Sequence, residues 1–218
     1  ENFNYSHLTM PGKGRPGYIG NAYADVECRL SDANEILVKS PGMMVGYYKE
    51  PELTQEVMTS DGFLKTGDQG EIDAEGRLRI TGRVKDLFKT SKGKYVAPVP
   101  IENLLNANSN IELSCVCGAS QPSTHAVLQL AESLVDKLDD ESVRKDVAAS
   151  LEKLIDNVNQ ELPDFERLSF VVVAKKPWGI DTGELTPTMK LKRSSIEKLY
   201  EPHVEQWYGA KQRVIWQS

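Results

Sequence analysis

Cysteine is scarce: Cys28, Cys115 and Cys117 are the only three in 218 residues, too few and too scattered for a disulfide framework. No second Cys or His pair completes the Cys115-Val116-Cys117 triplet as a metal site. On a strand both thiols point to one face, so the pair reads as buried core thiols, and the expected compartment is reducing, the cytoplasm. Histidine is as rare, and His7, His125 and His203 lie outside every segment that could carry chemistry, so no Ser/His/Asp arrangement forms. His125, after Ser123-Thr124, reads as a surface or core-edge residue. No apolar run approaches the roughly 18–20 residues of a membrane span. The phosphate loop Gly-x-x-x-x-Gly-Lys-Ser/Thr is absent. Positive charge is outweighed, 26 Lys and Arg against 32 Asp and Glu for a net −6, which excludes a general nucleic-acid binder.

What is present is enough for a core. Hydrophobic residues make up 39%, and the length lies between one large domain and two modest ones. The opening Glu-Asn-Phe-Asn-Tyr-Ser-His has no initiator Met, no cap and no period, and reads as the middle of a longer polypeptide. Residues 1–83 are rich in Gly, Pro and short apolar runs. Strands are expected over 24–30, 35–39, 70–73 and 78–81, separated by turn residues, with a hairpin around Glu75-Gly76 and a short helix over 51–58 opened by Pro51. This part reads as a small barrel or sandwich. After it, helices are expected from Pro100 to Ala107 and from about Ser194 to Trp207, and strands over 112–117, 126–130 and 168–174. The clearest helix is 140–162, where Val143, Val147, Leu151, Leu154, Ile155 and Val158 share one face and Pro163 stops the run. The boundary falls in Gly82-Arg-Val-Lys-Asp86, a tight hinge with no tether.

Three segments can carry chemistry. Thr66-Gly67-Asp68 places a carboxylate on a tight turn, where it can accept hydrogen bonds from a vicinal diol; Gly-Asp turns also simply join strands. Gly82 to Lys94 holds five cations, Arg83, Lys85, Lys89, Lys92 and Lys94, against Asp86 alone. Such a run binds phosphates or forms a solvated face. Within it, Ser91-Lys-Gly93-Lys94 resembles a hairpin turn whose Gly93 lets backbone approach a ligand. The third is Leu185-Thr-Pro-Thr-Met-Lys-Leu-Lys-Arg193. Here a Pro-containing turn presents Thr186 and Thr188 and then Lys190, a cation suited to meeting developing negative charge at one point.

The order Gly46-Tyr-Tyr-Lys-Glu-Pro-Glu-Leu-Thr54, Asp61-Gly-Phe-Leu-Lys-Thr-Gly-Asp68, Gly82-Arg-Val-Lys-Asp86 and Leu185-to-Arg193 resembles the adenylate-forming superfamily. The Thr-Pro-Thr-x-Lys-x-Lys-Arg form is most similar to its long-chain fatty acyl-CoA synthetase branch. The resemblance spans essentially the whole chain but only the back part of that family.

The resemblance implies an α+β fold. Residues 1–83 would be a β-rich, barrel-like end of a large N-terminal AMP-binding domain, and 84–218 a mobile C-terminal lid with its hinge near Lys85. It implies ligation of a fatty acid or other carboxylate to CoA through an acyl-adenylate, with ATP, Mg²⁺ and CoA as substrates and cofactors. Lys190 would be the catalytic cation, Asp68, Arg83 and Thr66 the nucleotide-binding set, and Lys85 the hinge. Lys89, Ser91, Gly93 and Lys94 would serve thioester formation and CoA, and Glu1 would be the Mg²⁺-linked acid. Partners implied are the acid, ATP, CoA and the remaining N-terminal domain of the same chain. No nucleic acid and no membrane span is expected, which leaves room for peripheral membrane association. A ligase for aryl or shorter acids and a non-catalytic interaction module are the alternatives. The 218 residues alone are expected to be inactive.

Overall fold

The computed structural model describes residues 1–3 and 5–217; Asn4, in the opening segment quoted above, and Ser218 lie outside the described residues. The fold is α+β, in two compact units, Glu1–Lys85 and Asp86–Ser218. Their boundary falls inside a 3₁₀ turn over Val84–Asp86.

The first unit is an antiparallel sheet of β1 (His7–Leu8), β2 (Gly20–Ala22), β3 (Glu27–Leu30), β4 (Glu35–Lys39), β5 (Leu64–Ile72) and β6 (Arg77–Arg83), with helix α1 (Pro51–Val57) between β4 and β5. Strand order is β1-β2-β6-β5-β4-β3, so β1 and β3 stand at its two ends. Ile36, Val38 and Leu78 form its buried core, with Val26, Cys28 and Leu30 packed on them. The expected strand at 70–73 begins six residues earlier, at Leu64. Thr66-Gly67-Asp68 is therefore not a turn between strands. It lies within β5, where Gly67 takes φ 73° and bends the strand without ending it. The turn at 73–77 is closed instead by Asp73, whose carboxylate accepts from the Glu75 and Arg77 N–H groups.

The second unit opens with a two-stranded hairpin, β7 (Phe88–Lys89) and β8 (Tyr95–Val96), followed by α2 (Pro98–Asn106), β9 (Ile111–Cys117), β10 (Thr124–Leu130), α3 (Glu132–Val135), α4 (Glu141–Glu161), β11 (Leu168–Val173), α5 (Arg193–Gly209) and β12 (Val214–Trp216). The main sheet runs β12-β11-β10-β9, with β9 antiparallel to β10 and the other pairs parallel. Strand periodicity sorts its side chains cleanly between two cores. Val116, Ala126, Leu128, Val171 and Val173 face α2 and α4, meeting Ile101, Leu105, Leu151 and Ile155. Cys115, Cys117, Val127, Phe170, Val172 and Ile215 face α5, meeting Ile196, Tyr200 and Trp207. A sheet covered on both faces explains the unbroken Phe-Val-Val-Val run of β11.

Helix α4 is the expected amphipathic helix: Val147, Leu151, Ile155 and Val158 are buried, and Asp140 caps it by accepting the Ser142 N–H at 2.8 Å. Helix α5 tolerates Pro202 in its interior, although the ring removes one intrahelical hydrogen bond, because Ile196, Tyr200 and Trp207 bury the face on either side. His125 is 2% exposed, stacked on Phe170 at 5.0 Å, and so belongs to the core and not to a surface or core edge.

Candidate active site

In the first unit, β5 and β6 bring Thr66, Asp68 and Arg83 together. Asp68 pairs directly opposite Arg83 in the ladder, and Arg83 Nε lies 2.8 Å from Asp68 Oδ1. The carboxylate is partly exposed, so a ligand can reach it while Arg83 orients it. The bend that presents it is held from below. The Thr66 hydroxyl donates to the Ile36 carbonyl at 2.8 Å and accepts the Asp68 N–H at 3.1 Å. The Glu35 carboxylate accepts the Gly67 N–H at 3.0 Å. Thr66 thus holds the carboxylate through the backbone.

The Gly46-to-Thr54 motif is a local clasp. Thr54 Oγ1 accepts the Tyr47 N–H and donates to the Glu50 carbonyl, both at 2.9 Å, where Pro51 starts α1. Glu1 sits beside it: its carbonyl accepts the Met44 N–H, and its carboxylate accepts the Tyr47 hydroxyl, a bond that raises the phenol above its ordinary pKa. No cluster of three or more His, Cys, Asp or Glu side chains that could hold a metal occurs among the described residues. One carboxylate suits Mg²⁺ only in company with substrate phosphates, so Glu1 fits as a single ligand and not as a cage.

In the second unit, Lys89, Ser91, Gly93 and Lys94 share the β7–β8 hairpin. Gly93 takes φ 79°, Thr90 and Lys94 close the turn by a 2.9 Å backbone bond, and the Ser91 N–H reaches the Gln121 carbonyl at 2.9 Å. Lys89 lies over the Tyr95 ring at 5.4 Å and Lys94 over Phe165 at 5.9 Å, within cation–π range. Lys85, at the end of the first unit, is exposed on the 3₁₀ turn.

Lys190 stands on a different turn of the second unit. The Thr186 N–H donates to the Lys190 carbonyl at 2.8 Å, and the Lys190 N–H donates to Thr186 Oγ1 at 3.0 Å. Leu185 and Leu191 bridge around this loop, and Leu185 is 1% exposed. Met189 takes φ 59°, the strained step that turns the chain. Beneath it, buried Glu184 accepts the Lys192 N–H on its carbonyl. Its carboxylate accepts the Gly179 N–H and the Thr182 hydroxyl; burial pushes that carboxyl up, yet these donors hold it below its ordinary value. The Lys190 ammonium is exposed and makes no ion pair among the described residues. A cation on a clamped backbone with no carboxylate to quench it is what an incoming anion requires.

Arg193, three residues on, is occupied. It forks onto Glu102 of α2, NH1 to Oε1 at 2.7 Å and NH2 to Oε2 at 2.9 Å. Burial opposes the guanidinium charge, but Glu102 carries the balance upward. Sequence reasoning missed this pair and the Glu184 clasp. The available signal was a cation at a helix start, against the helix dipole. The thiols of Cys115 and Cys117 are 3.8 Å apart, and the neighbouring sulfur and burial push Cys117 well up, so it is not a nucleophile at neutral pH. A cavity of about 770 Å³ opens between the 117–122 loop and α5, with His125 and Tyr208 on its walls, but Lys89, Lys94 and Lys190 do not line it.

Residues 85–212 match the family model described as AMP-binding enzyme C-terminal domain. This chain belongs to that family. Curated relatives match beyond those residues, over most of the chain. The long-chain-fatty-acid–CoA ligase 5 of Rattus norvegicus is 31% identical over 92% of this chain and 33% of its own length. The long-chain-fatty-acid–CoA ligase FadD15 of Mycobacterium tuberculosis is 29% identical over 88% of this chain and 34% of its own. The chain thus spans about a third of the length of the curated relatives it matches. Among solved structures, the adenylation domain of a Mycobacterium chelonae carboxylate reductase superposes with a TM-score of 0.70 at 24% identity, over 89% of this chain and 32% of that one, which shows a shared fold. No helix among the described residues is long and apolar enough to cross a membrane.

Proposed function

We propose that this chain is the back part of a cytoplasmic AMP-forming acyl-CoA synthetase that acts on long-chain fatty acids. In the first half-reaction a carboxylate oxygen bonds to the α-phosphorus of ATP as the bond to pyrophosphate breaks. In the second, the CoA sulfur bonds to the acyl carbon as AMP leaves. Asp68 takes the ribose hydroxyls on its partly exposed carboxylate, with Arg83 beside it and Thr66 holding the bend. Lys190 meets the negative charge shared between carboxylate and α-phosphate, which is worth several kcal/mol when preorganised. Glu1 would hold the Mg²⁺ that accompanies ATP, which would supply charge to neutralise its phosphates. Lys85 is the hinge about which the second unit turns between half-reactions, bringing the hairpin of Lys89, Ser91, Gly93 and Lys94 to the CoA thiol. The names of the relatives support the acid and thiol assigned here.

The observation that carries this reading is the Lys190 turn, clamped at amide and carbonyl by Thr186 while its ammonium stays unpaired. Helix α5, which follows, has no side-chain N-cap, so its first N–H groups add to the attraction for phosphate. The test is Lys190→Ala in the full-length protein. Acid-dependent exchange of pyrophosphate into ATP should fall at least about 100-fold. Conversion of supplied acyl-adenylate and CoA to acyl-CoA should be retained. Equal loss of both half-reactions removes the role given to Lys190, and a preference for aryl or short acids over long chains removes the substrate.

A further inference from the structure

The Arg193 fork draws three elements to one point. Besides Glu102, Arg193 NH1 donates to the Val116 carbonyl of β9 at 3.0 Å and to Cys115 Sγ at 3.3 Å. Glu102 Oε1 also accepts the Val116 N–H at 2.8 Å. The two side chains are only 14% and 8% exposed. Arg193 is the first residue of α5, where the helix dipole disfavours a cation, and its Nε is buried without a hydrogen-bond partner. The dipole and the unpartnered Nε oppose stability, while the fork satisfies the Val116 N–H and carbonyl on the edge strand β9, two backbone groups that an apolar pair would leave without partners. A charged fork held there against local preference fixes geometry.

What it fixes lies next to it. The turn bearing Lys190 is anchored at its front by Leu185, buried in the same core as Ile196 of α5, and at its back by Leu191, which bridges to Leu185 and packs on that core, by the Lys192 N–H on the Glu184 carbonyl, and by the entry into α5. Lys192, the residue before Arg193, has no side-chain cap to seat the helix start. The guanidinium is therefore the side chain that sets where α5 begins, and Lys190 is carried on that end.

We propose that Arg193 is a positioning residue for Lys190, with Glu102 as its seat, so that the buried ion pair aligns the ammonium for adenylation. The proposal rests on the reading of Lys190 given above. Lysine keeps the charge but cannot make the two-pronged fork, and a displacement near 1 Å at a reacting group lowers a rate about 100-fold.

In the full-length enzyme, Arg193→Lys should therefore lower the turnover of acid-dependent ATP–pyrophosphate exchange about 10- to 100-fold with the KM for ATP unchanged. Thioester formation from supplied acyl-adenylate should stay at the parent rate. Glu102→Gln, which keeps the shape and the Val116 bond, should show the same split and serves if Arg193→Lys fails to fold. A merely structural role lowers both half-reactions together, in step with the folded fraction. The deciding measurement is the double variant. If Arg193 acts through Lys190, Lys190→Ala with Arg193→Lys exchanges no more slowly than Lys190→Ala alone. Multiplied losses, equal loss in both half-reactions, or unchanged exchange in a folded Arg193→Lys each overturn the proposal. Failure of the Lys190 reading shows separately, in the single variant Lys190→Ala.

Discussion

The ring of His125 is buried against Tyr208, Nδ1 to hydroxyl 3.0 Å, and the same hydroxyl donates its one proton to the Ser123 carbonyl. Tyr208 can therefore only accept from the histidine. The imidazole is neutral and carries its proton on Nδ1. Burial lowers its pKa from 6.5 to about 4. An unfolded chain takes up this proton near pH 6.5, while the folded chain resists until about pH 4. The stability contributed by the neutral ring is complete above pH 6.5 and is lost as the pH falls through that window, to a total of about 3 kcal/mol. Urea unfolding of the parent and of His125→Phe should diverge in slope between pH 6.5 and pH 4, the variant being flatter. Parallel curves would mean that the ring is protonated in the fold.

Asp68→Asn separates binding from stability. The pair with Arg83 is 63% exposed on the arginine side, and such surface pairs contribute at most about 1 kcal/mol. The melting temperature should hardly move. A charged acceptor for ribose hydroxyls is worth more, about 1.5–3 kcal/mol, so the KM for ATP in the full-length enzyme should rise roughly 10- to 100-fold. An unchanged KM would remove Asp68 from the nucleotide site.

Much of the second unit is legible in the sequence, because its signals are local. The apolar face of α4 repeats on a helical period, and β9, β10 and β11 are largely apolar segments, rich in β-branched residues and bounded by turn residues. Strands β1, β2 and β12 are two or three residues long, and their definition comes from distant partners, as where Val214 pairs with Val171. The site divides the same way. Lys190 stands out as a cation after Thr-Pro-Thr, but Arg193 looks like one more exposed base until Glu102, 91 residues upstream, is folded against it. Thr66-Gly67-Asp68 reads as a turn because glycine signals one. The ladder on either side, Leu37 with Lys65 and Asp68 with Arg83, carries the strand through the bend.

Two glycines of the first unit should respond very differently to alanine. At Gly20, φ is 103° and an added Cβ would lie 2.2 Å from the Leu8 carbonyl oxygen, so β1 must move away from β2. Strain and lost pairing together should destabilise this unit by more than about 2 kcal/mol. At Gly67, φ is 73° and the space around the Cβ is open, so only the left-handed backbone is disfavoured, about 1–2 kcal/mol. Urea midpoints followed by a probe in the first unit test the order; a smaller effect at Gly20 than at Gly67 would contradict the β1–β2 pairing.

Thr186 shows whether the Lys190 turn must be rigid. Its hydroxyl accepts the Lys190 N–H and contacts Thr188 Oγ1, both at 3.0 Å, while its backbone N–H closes the turn on the Lys190 carbonyl. Thr186→Val keeps the shape and the backbone bond but leaves the Lys190 amide without its acceptor, and the exposed position lets water replace it. Folding should therefore change little, by less than about 1 kcal/mol. Adenylation depends on where the ammonium sits, and a loosened turn should lower acid-dependent exchange by about tenfold, one such bond's worth. Thr186→Ser restores the acceptor and should recover the parent rate. Thioester formation from supplied acyl-adenylate should be the same in all three proteins. If valine exchanges as fast as threonine, the hydroxyl does not hold the turn, and the burden of placing Lys190 falls on the Leu185–Leu191 bridge, the Glu184 carbonyl and Arg193.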